Sequence, residues 1–147
     1  MQINLRKANA VQAEIKKAIS GVKVEMNVSV DEFTTDFKTV VVAAQDSLVK
    51  AIARKRELTK ALFEIEARLE KAKASPQADS LRASMYGINK VETSVVTLSL
   101  VAEAKLLAKS FKRDKQELQD RLLQLNVNTL ISLSDQTVTL LQEEGIL

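Results

Sequence analysis

Apolar and polar residues alternate without interruption along residues 22–30. In an extended chain, such alternation places all the apolar side chains on one face and the polar ones on the other. The pattern predicts a β-strand over residues 22–30. Its apolar members are Val22, Val24, Met26, Val28 and Val30.

A second alternating stretch covers residues 126–133 and predicts a second strand of similar length. Its apolar residues include Val127, Ile131 and Leu133. The rest of the chain repeats its apolar residues at steps of three and four, which is typical of amphipathic helices. The expected order is therefore a helix at 4–20, the strand at 22–30, a long helix at 31–74, a turn at 75–76, a long helix at 77–125, the strand at 126–133 and a short helix at 135–144.

End signals support these boundaries. Gly21 follows the first helix, Asp31 is placed to cap the second, and Ser75 with Pro76 marks the clearest helix start in the chain. Ser134 is placed to cap the last helix, and Gly145 to end it.

The two long helices carry matching apolar seams, although Lys55 interrupts the first seam near its start. Antiparallel packing of these seams predicts a helical hairpin. The predicted fold class is all-α, with a long antiparallel helical hairpin, short terminal helices and a minor two-stranded β element. The seam residues are Leu58, Leu62, Ile65 and Leu69 on the first helix, and Ile88, Val95 and Leu98 on the second.

The hairpin would bring the two predicted strands together at its base, opposite the 75–76 turn. A lone two-stranded sheet is marginal in water. Either the first and last helices cover it, or its free edges pair with another molecule. The second alternative makes the apolar residues of both strands candidate partner-binding residues: Val22, Val24, Met26, Val28, Val30, Val127, Ile131 and Leu133.

Composition supports long elements in one domain. The 147 residues include only three Gly and one Pro, and aromatic residues make up 3% of the chain. The start of the chain has no apolar core typical of a signal peptide, and no apolar run reaches the length of a membrane span. We therefore expect a chain that is cytoplasmic and soluble at synthesis.

The residue inventory argues against catalysis. The chain has no His and no Cys, which removes imidazole bases, thiolate nucleophiles and the commonest metal ligands. Glu64, Glu66 and Glu70 lie among basic residues and predict a solvated, ion-paired helix face in preference to a metal site. No phosphate-binding glycine loop is present. We expect no enzyme activity, no cofactor, no bound metal and no small-molecule substrate.

The formal charge of +3 is a small excess. The basic runs at 53–57 and 109–115 could contact phosphates, but both are interleaved with acidic residues and lack aromatic platforms. Neither nucleic acid nor a membrane is the expected partner.

The opening INLRKANAVQAEIKKAI (residues 3–19), followed by an alternating stretch and DEF, resembles small helical structural proteins of tailed bacteriophages. The broader layout, with ELQDRLLQLNVNTLI at 117–131, is similar to septicolysin-like bacterial proteins. The resemblance implies a virion component, repeated in a ring or shell and held to a larger protein.

The expected function is a non-catalytic structural or assembly protein of a tailed phage, which binds copies of itself or another virion protein through helix faces and strand pairing. It would be present in the host cytoplasm during assembly and then in the virion. The alternatives are a membrane-active, pore-forming-like helical protein and a nucleic-acid-binding assembly factor.

Overall fold

The structure is a computed structural model that describes residues 1–25, 27–29, 36–98 and 101–147, with side chains at all of these except 93–98 and 101. The described residues form an all-α fold with a minor two-stranded antiparallel sheet, which confirms the predicted fold class. The elements, in chain order, are β1 (Gln2–Asn4), α1 (Leu5–Gly21), α2 (Phe37–Lys73), α3 (Pro76–Leu98), α4 (Val101–Asn128), β2 (Leu130–Ser132) and α5 (Asp135–Glu143).

Local capping explains where several helices begin. The Lys7 N–H donates to Asn4 Oδ1 at 2.8 Å at the start of α1, and the Ala78 N–H donates to Ser75 Oγ at 3.3 Å at the start of α3. Ser134 caps α5 through the Thr137 N–H, as the sequence predicts.

The prediction of a strand over residues 22–30 is wrong for the residues that are described. Residues 22–25 and 27–29 have no regular secondary structure. Met26, Val30 and the predicted cap Asp31 lie outside the described residues. The alternation of apolar and polar residues is present in the sequence, but β2, the expected partner of this stretch, pairs with a different segment.

β2 pairs with β1, at the start of the chain. The Leu5 N–H donates to the Thr129 carbonyl oxygen at 3.1 Å, and this antiparallel register places Ile3 opposite Ile131. Both isoleucines are buried, so this cross-strand pair fills the apolar side of the sheet. The signal for β1 was the short alternation of polar Gln2 and Asn4 with apolar Ile3 and Leu5.

The prediction of a single helix over 77–125 is also wrong. The start of α3, at Pro76 and Leu81, and the end of α4, at Arg121 and Leu125, line one shared groove, so the two helices pack antiparallel. α3 and α4 are therefore two separate helices that lie side by side within the second unit.

The residue contacts divide the chain into two compact units. The first comprises residue 1, residues 8–67 and residues 132–147; the second comprises residues 2–7 and 68–131. The expectation of one independently folding domain stays a prediction. Buried apolar side chains of the first unit are Ala8, Val11, Ile15, Leu58, Ala61, Ile65, Leu133 and Leu141; those of the second are Ile3, Leu5, Leu69, Ala78 and Ile131.

Candidate protein–protein interface

The first half of α2 exposes an unusual number of large apolar side chains. Five of them lie between residues 37 and 52, and each keeps more than a third of its surface accessible to solvent. We call this set the α2 band. Its members, with their exposed fractions, are Phe37 (59%), Val41 (39%), Val42 (54%), Val49 (65%) and Ile52 (49%).

The cap at Asp36 sets the start of the helix that carries the band. The Thr39 N–H donates to Asp36 Oδ1 at 3.3 Å, and the Thr39 hydroxyl donates to Oδ2 at 2.6 Å. These hydrogen bonds favour the ionised carboxylate and lower the pKa of Asp36 below its ordinary value. Among the described residues, the N-terminal cap of α2 is therefore Asp36, which is followed directly by the first band residue.

The band occupies only one side of this half of α2. Ala44 and Leu48, at the edge of this side, are half-buried and form a groove together with Lys23 and Val28. The segment predicted to be a strand therefore lies beside α2 within the first unit. The band is the part of the helix that this segment leaves exposed.

The second half of α2 contains the fully buried apolar residues of this helix. Leu58 and Ile65 are fully buried, and Leu62 is half-buried. Within the first unit, the polar contacts around these residues come from α1 and α5. Leu69 is buried and Ile88 half-buried in the second unit, whereas the side chains of Val95 and Leu98 lie outside the description.

Glu66 joins α2 to α1. Its Oε1 accepts from Gln12 Nε2 at 2.8 Å and lies 2.9 Å from Lys16 Nζ. The hydrogen bonds from Lys16 and Gln12 lower the pKa of Glu66 below its ordinary value. The predicted ion pairing of Glu66 is present. It joins two helices, whereas the prediction placed it on the solvated face of one helix.

Glu64 joins α2 to α5. Its carboxylate accepts from the Ser134 N–H at 2.9 Å, from the Ser134 hydroxyl at 2.8 Å and from the Thr137 hydroxyl. Thr137 is itself buried. A negative charge at this helix N-terminus is also favoured by the helix dipole.

Arg54 makes a further link from α2 to the end of α5. Its guanidinium pairs with the Glu144 carboxylate, which raises the pKa of Arg54 above its ordinary value. α5 therefore runs antiparallel to α2, with its start at Glu64 and its end at Arg54. These contacts hold the second half of α2 and leave the α2 band exposed.

The described members of the predicted partner-binding set differ in their burial and secondary structure. Ile131 and Leu133 are core residues, and exposed Val127 lies in α4 and not in a strand. Val22 and Val24 are half-buried, and Val28 is the exposed member among the described apolar residues of its stretch. Sequence reasoning missed the α2 band, although the run of β-branched residues at 39–42 was its visible signal.

α4 carries a second exposed feature, a row of basic side chains at helical spacing. Lys105, Lys109, Lys112 and Arg113 are all exposed, and the first three recur at steps of four and three along one side of the helix. Asp114 and Glu117 follow closely, and the later basic residues Lys115 and Arg121 are paired with Glu92 and Glu117.

Within the described ranges, no group of three or more acidic side chains is arranged to hold a metal ion. None of the described helices is long and apolar enough to cross a membrane. No protein-family model, curated protein or solved structure matches this chain.

Proposed function

We propose that this protein is a non-catalytic structural or assembly component of a tailed-phage virion. It binds copies of itself or a neighbouring virion protein through helix faces. The observation that supports the proposal most strongly is the α2 band, whose five apolar side chains lie within four helical turns on one half of a helix. Contiguous exposed apolar patches of this kind mark protein interaction sites.

The free energy of apolar burial shows how strongly the band could favour binding. Full burial of one Val, Ile or Phe side chain is worth about 1.5–3 kcal/mol, and the band side chains are still 39–65% exposed. Binding of a partner that covers all five side chains is therefore favoured by roughly several kcal/mol of free energy. The exposed apolar residues of α3 and α4 are spread over two helices, as scattered surface residues commonly are.

Helix faces replace strands as the proposed means of binding. The candidate strand residues that are described are either irregular, helical or in the core. The absence of His and Cys from the sequence is consistent with a role in binding, since it removes the usual bases and nucleophiles.

Virion content tests the proposal. Particles of the phage that encodes the chain, and their assembly precursors isolated from infected cells, would be purified and their proteins quantified by mass spectrometry. We expect the chain at a fixed number of copies in one or both. Its absence from both would contradict the proposal.

A nucleic-acid-binding assembly factor is the second candidate, and the basic row on α4 favours it. Lysines and arginines that neutralise phosphates release counterions, so affinity for DNA should fall steeply with salt. Replacing Lys105, Lys109 and Lys112 with Gln should weaken such binding, whereas replacing Lys7, Lys17 and Lys38 should not. If the unaltered chain does not bind DNA even at low salt, this candidate is ruled out.

A further inference from the structure

We propose that the α2 band binds the α2 band of a second copy of this chain, with the two helices antiparallel and the two-fold axis passing beside Gln45. This inference deepens the proposed function, on which it rests, by naming the surface, the partner and the orientation. Symmetry, charge and the residue at the centre of the band support it independently.

Gln45 lies near the centre of the band. At about 100° per residue, the five members span about 140° of the helix surface, and Gln45 falls near the middle of that arc. It also lies near the middle of residues 37–52 along the helix axis. An antiparallel partner with its axis at Gln45 places Val41 of one copy opposite Val49 of the other. A self-complementary patch is what an isologous dimer requires.

Charge favours the antiparallel orientation. Asp36 and Lys38 lie at the start of the band, and exposed Lys55 and Arg56 follow it, whereas Arg54 is already paired with Glu144. Antiparallel pairing directs Lys55 and Arg56 of each copy toward Asp36 of the other. Parallel pairing would set the Lys55 and Arg56 charges of the two copies beside one another, which is unfavourable.

Gln45 supplies a polar group where the axis would pass. It is exposed, and its side-chain amide can both donate to and accept from the same amide of a second copy. A single polar residue in an apolar helix seam specifies register and orientation, because any other register leaves it unpaired. Gln45 thus favours one register of the two helices over the others.

The absence of Cys from the chain permits a direct test of register by single introduced cysteines. Gln45→Cys should form a disulfide-linked dimer under mild oxidation, since the two positions meet at the axis. Val41→Cys alone should not, because its counterpart lies about 12 Å away along the helix. A mixture of Val41→Cys and Val49→Cys chains should give the mixed dimer.

Two results would overturn the inference. Linkage of Val41→Cys to itself and of Val49→Cys to itself would indicate parallel pairing. No linkage at Gln45→Cys, together with a mass of 16.3 kDa by light scattering of the unaltered chain at all concentrations, would show that the band does not bind a copy.

A charge substitution gives a second readout that does not need oxidation. Val49→Asp should convert the dimer to a monomer in light scattering, whereas Leu106→Asp, at a leucine that is 73% exposed on α4, should leave the dimer intact. Circular dichroism of both variants checks that they remain folded. An unchanged dimer in a folded Val49→Asp variant would overturn the inference.

These results separate the inference from the proposed function. A chain that is present in particles but fails the cysteine test keeps its structural role and loses this interface. A chain that dimerises through Gln45 but is absent from particles keeps the interface and loses the virion role.

Discussion

Individual carboxylates in the second half of α2 have different roles that their spacing does not reveal. Glu64, Glu66 and Glu70 look alike in the sequence, yet Glu64 binds the start of α5, Glu66 binds two side chains of α1, and Glu70 is exposed. The prediction of one solvated face is therefore wrong for two of the three. Their roles depend on which helix lies opposite, and this cannot be read from the residues beside them.

Replacing Glu64 should destabilise the protein more than replacing its neighbour on the same helix. Glu64→Ala removes the acceptor of the Ser134 N–H and of two hydroxyls, one of them on buried Thr137. We expect the free energy of unfolding to fall by about 1–3 kcal/mol. Urea unfolding measures it, and Glu70→Ala is the matched control, with an expected change of about 0.5 kcal/mol or less. Equal losses in the two variants would contradict the assigned role.

Glu66 should make stability depend on pH in the acid range. Because its pKa is lowered in the folded state, its contribution is fully present above the pKa of the unfolded chain, roughly 4.3, and is lost as the pH falls through the folded-state pKa. The stability difference between the unaltered chain and Glu66→Gln should therefore shrink as the pH drops below about 4.

Urea unfolding at several pH values measures this difference. Lys16 supplies the largest part of the effect, so the same comparison in a Lys16→Met background should show a weaker dependence on pH. A difference that stays constant from neutral to acid pH would show that the Lys16 contact does not form in solution.

Among the elements, the helices with a clear local cap were the most predictable. Ser75 and Ser134 were identified from the sequence as caps, and both accept the expected N–H. The end of α5 also follows prediction, since Gly145 has a φ of 67° and the Ile146 N–H donates to the Leu141 carbonyl oxygen at 2.8 Å. Each of these features depends on residues no more than five apart.

Removing the N-terminal cap of α3 should lower the stability of the protein. Ser75→Ala leaves the Ala78 N–H without its side-chain acceptor, and we expect the free energy of unfolding to fall by about 1 kcal/mol. Thermal or urea unfolding measures it. Ser80→Ala, at an exposed site inside the same helix, should be neutral or slightly stabilising because Ala has the higher helix propensity. A Ser75→Ala variant as stable as Ser80→Ala would argue against the cap.

For the molecule as a whole, the contrast between the buried and the exposed face of α2 is the main result. In the first unit, Leu58 and Ile65 are fully buried among contacts with α1 and α5, whereas the α2 band earlier on the same helix is exposed. Apolar residues lie on both faces, since exposed Phe63 continues the face of the α2 band into the second half of the helix. Coverage by other elements, and not hydrophobicity, separates core from surface.

Two neighbouring positions on α2 test this contrast. Ile65→Ala empties a fully buried site and should lower the free energy of unfolding by about 2–5 kcal/mol. Phe63→Ala, at a side chain that is 64% exposed, should change it by much less, although more apolar atoms are removed. Chemical unfolding of both variants measures the two losses of unfolding free energy. A larger loss for Phe63→Ala would place the core on the other face of α2.

From its sequence, this chain could be recognised as all-α with a minor β element, and most of its helices and two of its caps could be located. Those features depend on the apolar period and on hydrogen bonds between residues a few positions apart. The same reasoning failed where distant segments compete. β2 pairs with Gln2–Asn4 in place of residues 22–30, and α3 packs against α4 where an unbroken apolar step predicts one helix.

The functional surface required the assembled fold for the same reason. Phe37 and Leu58 belong to one apolar repeat on one helix, and nothing local distinguishes them. Leu58 is buried because other elements cover its part of α2, and Phe37 stays exposed because none of the described elements covers it. Burial is a property of the contacts between distant parts of the chain, so the pattern identifies apolar faces but not which of them is left for a partner.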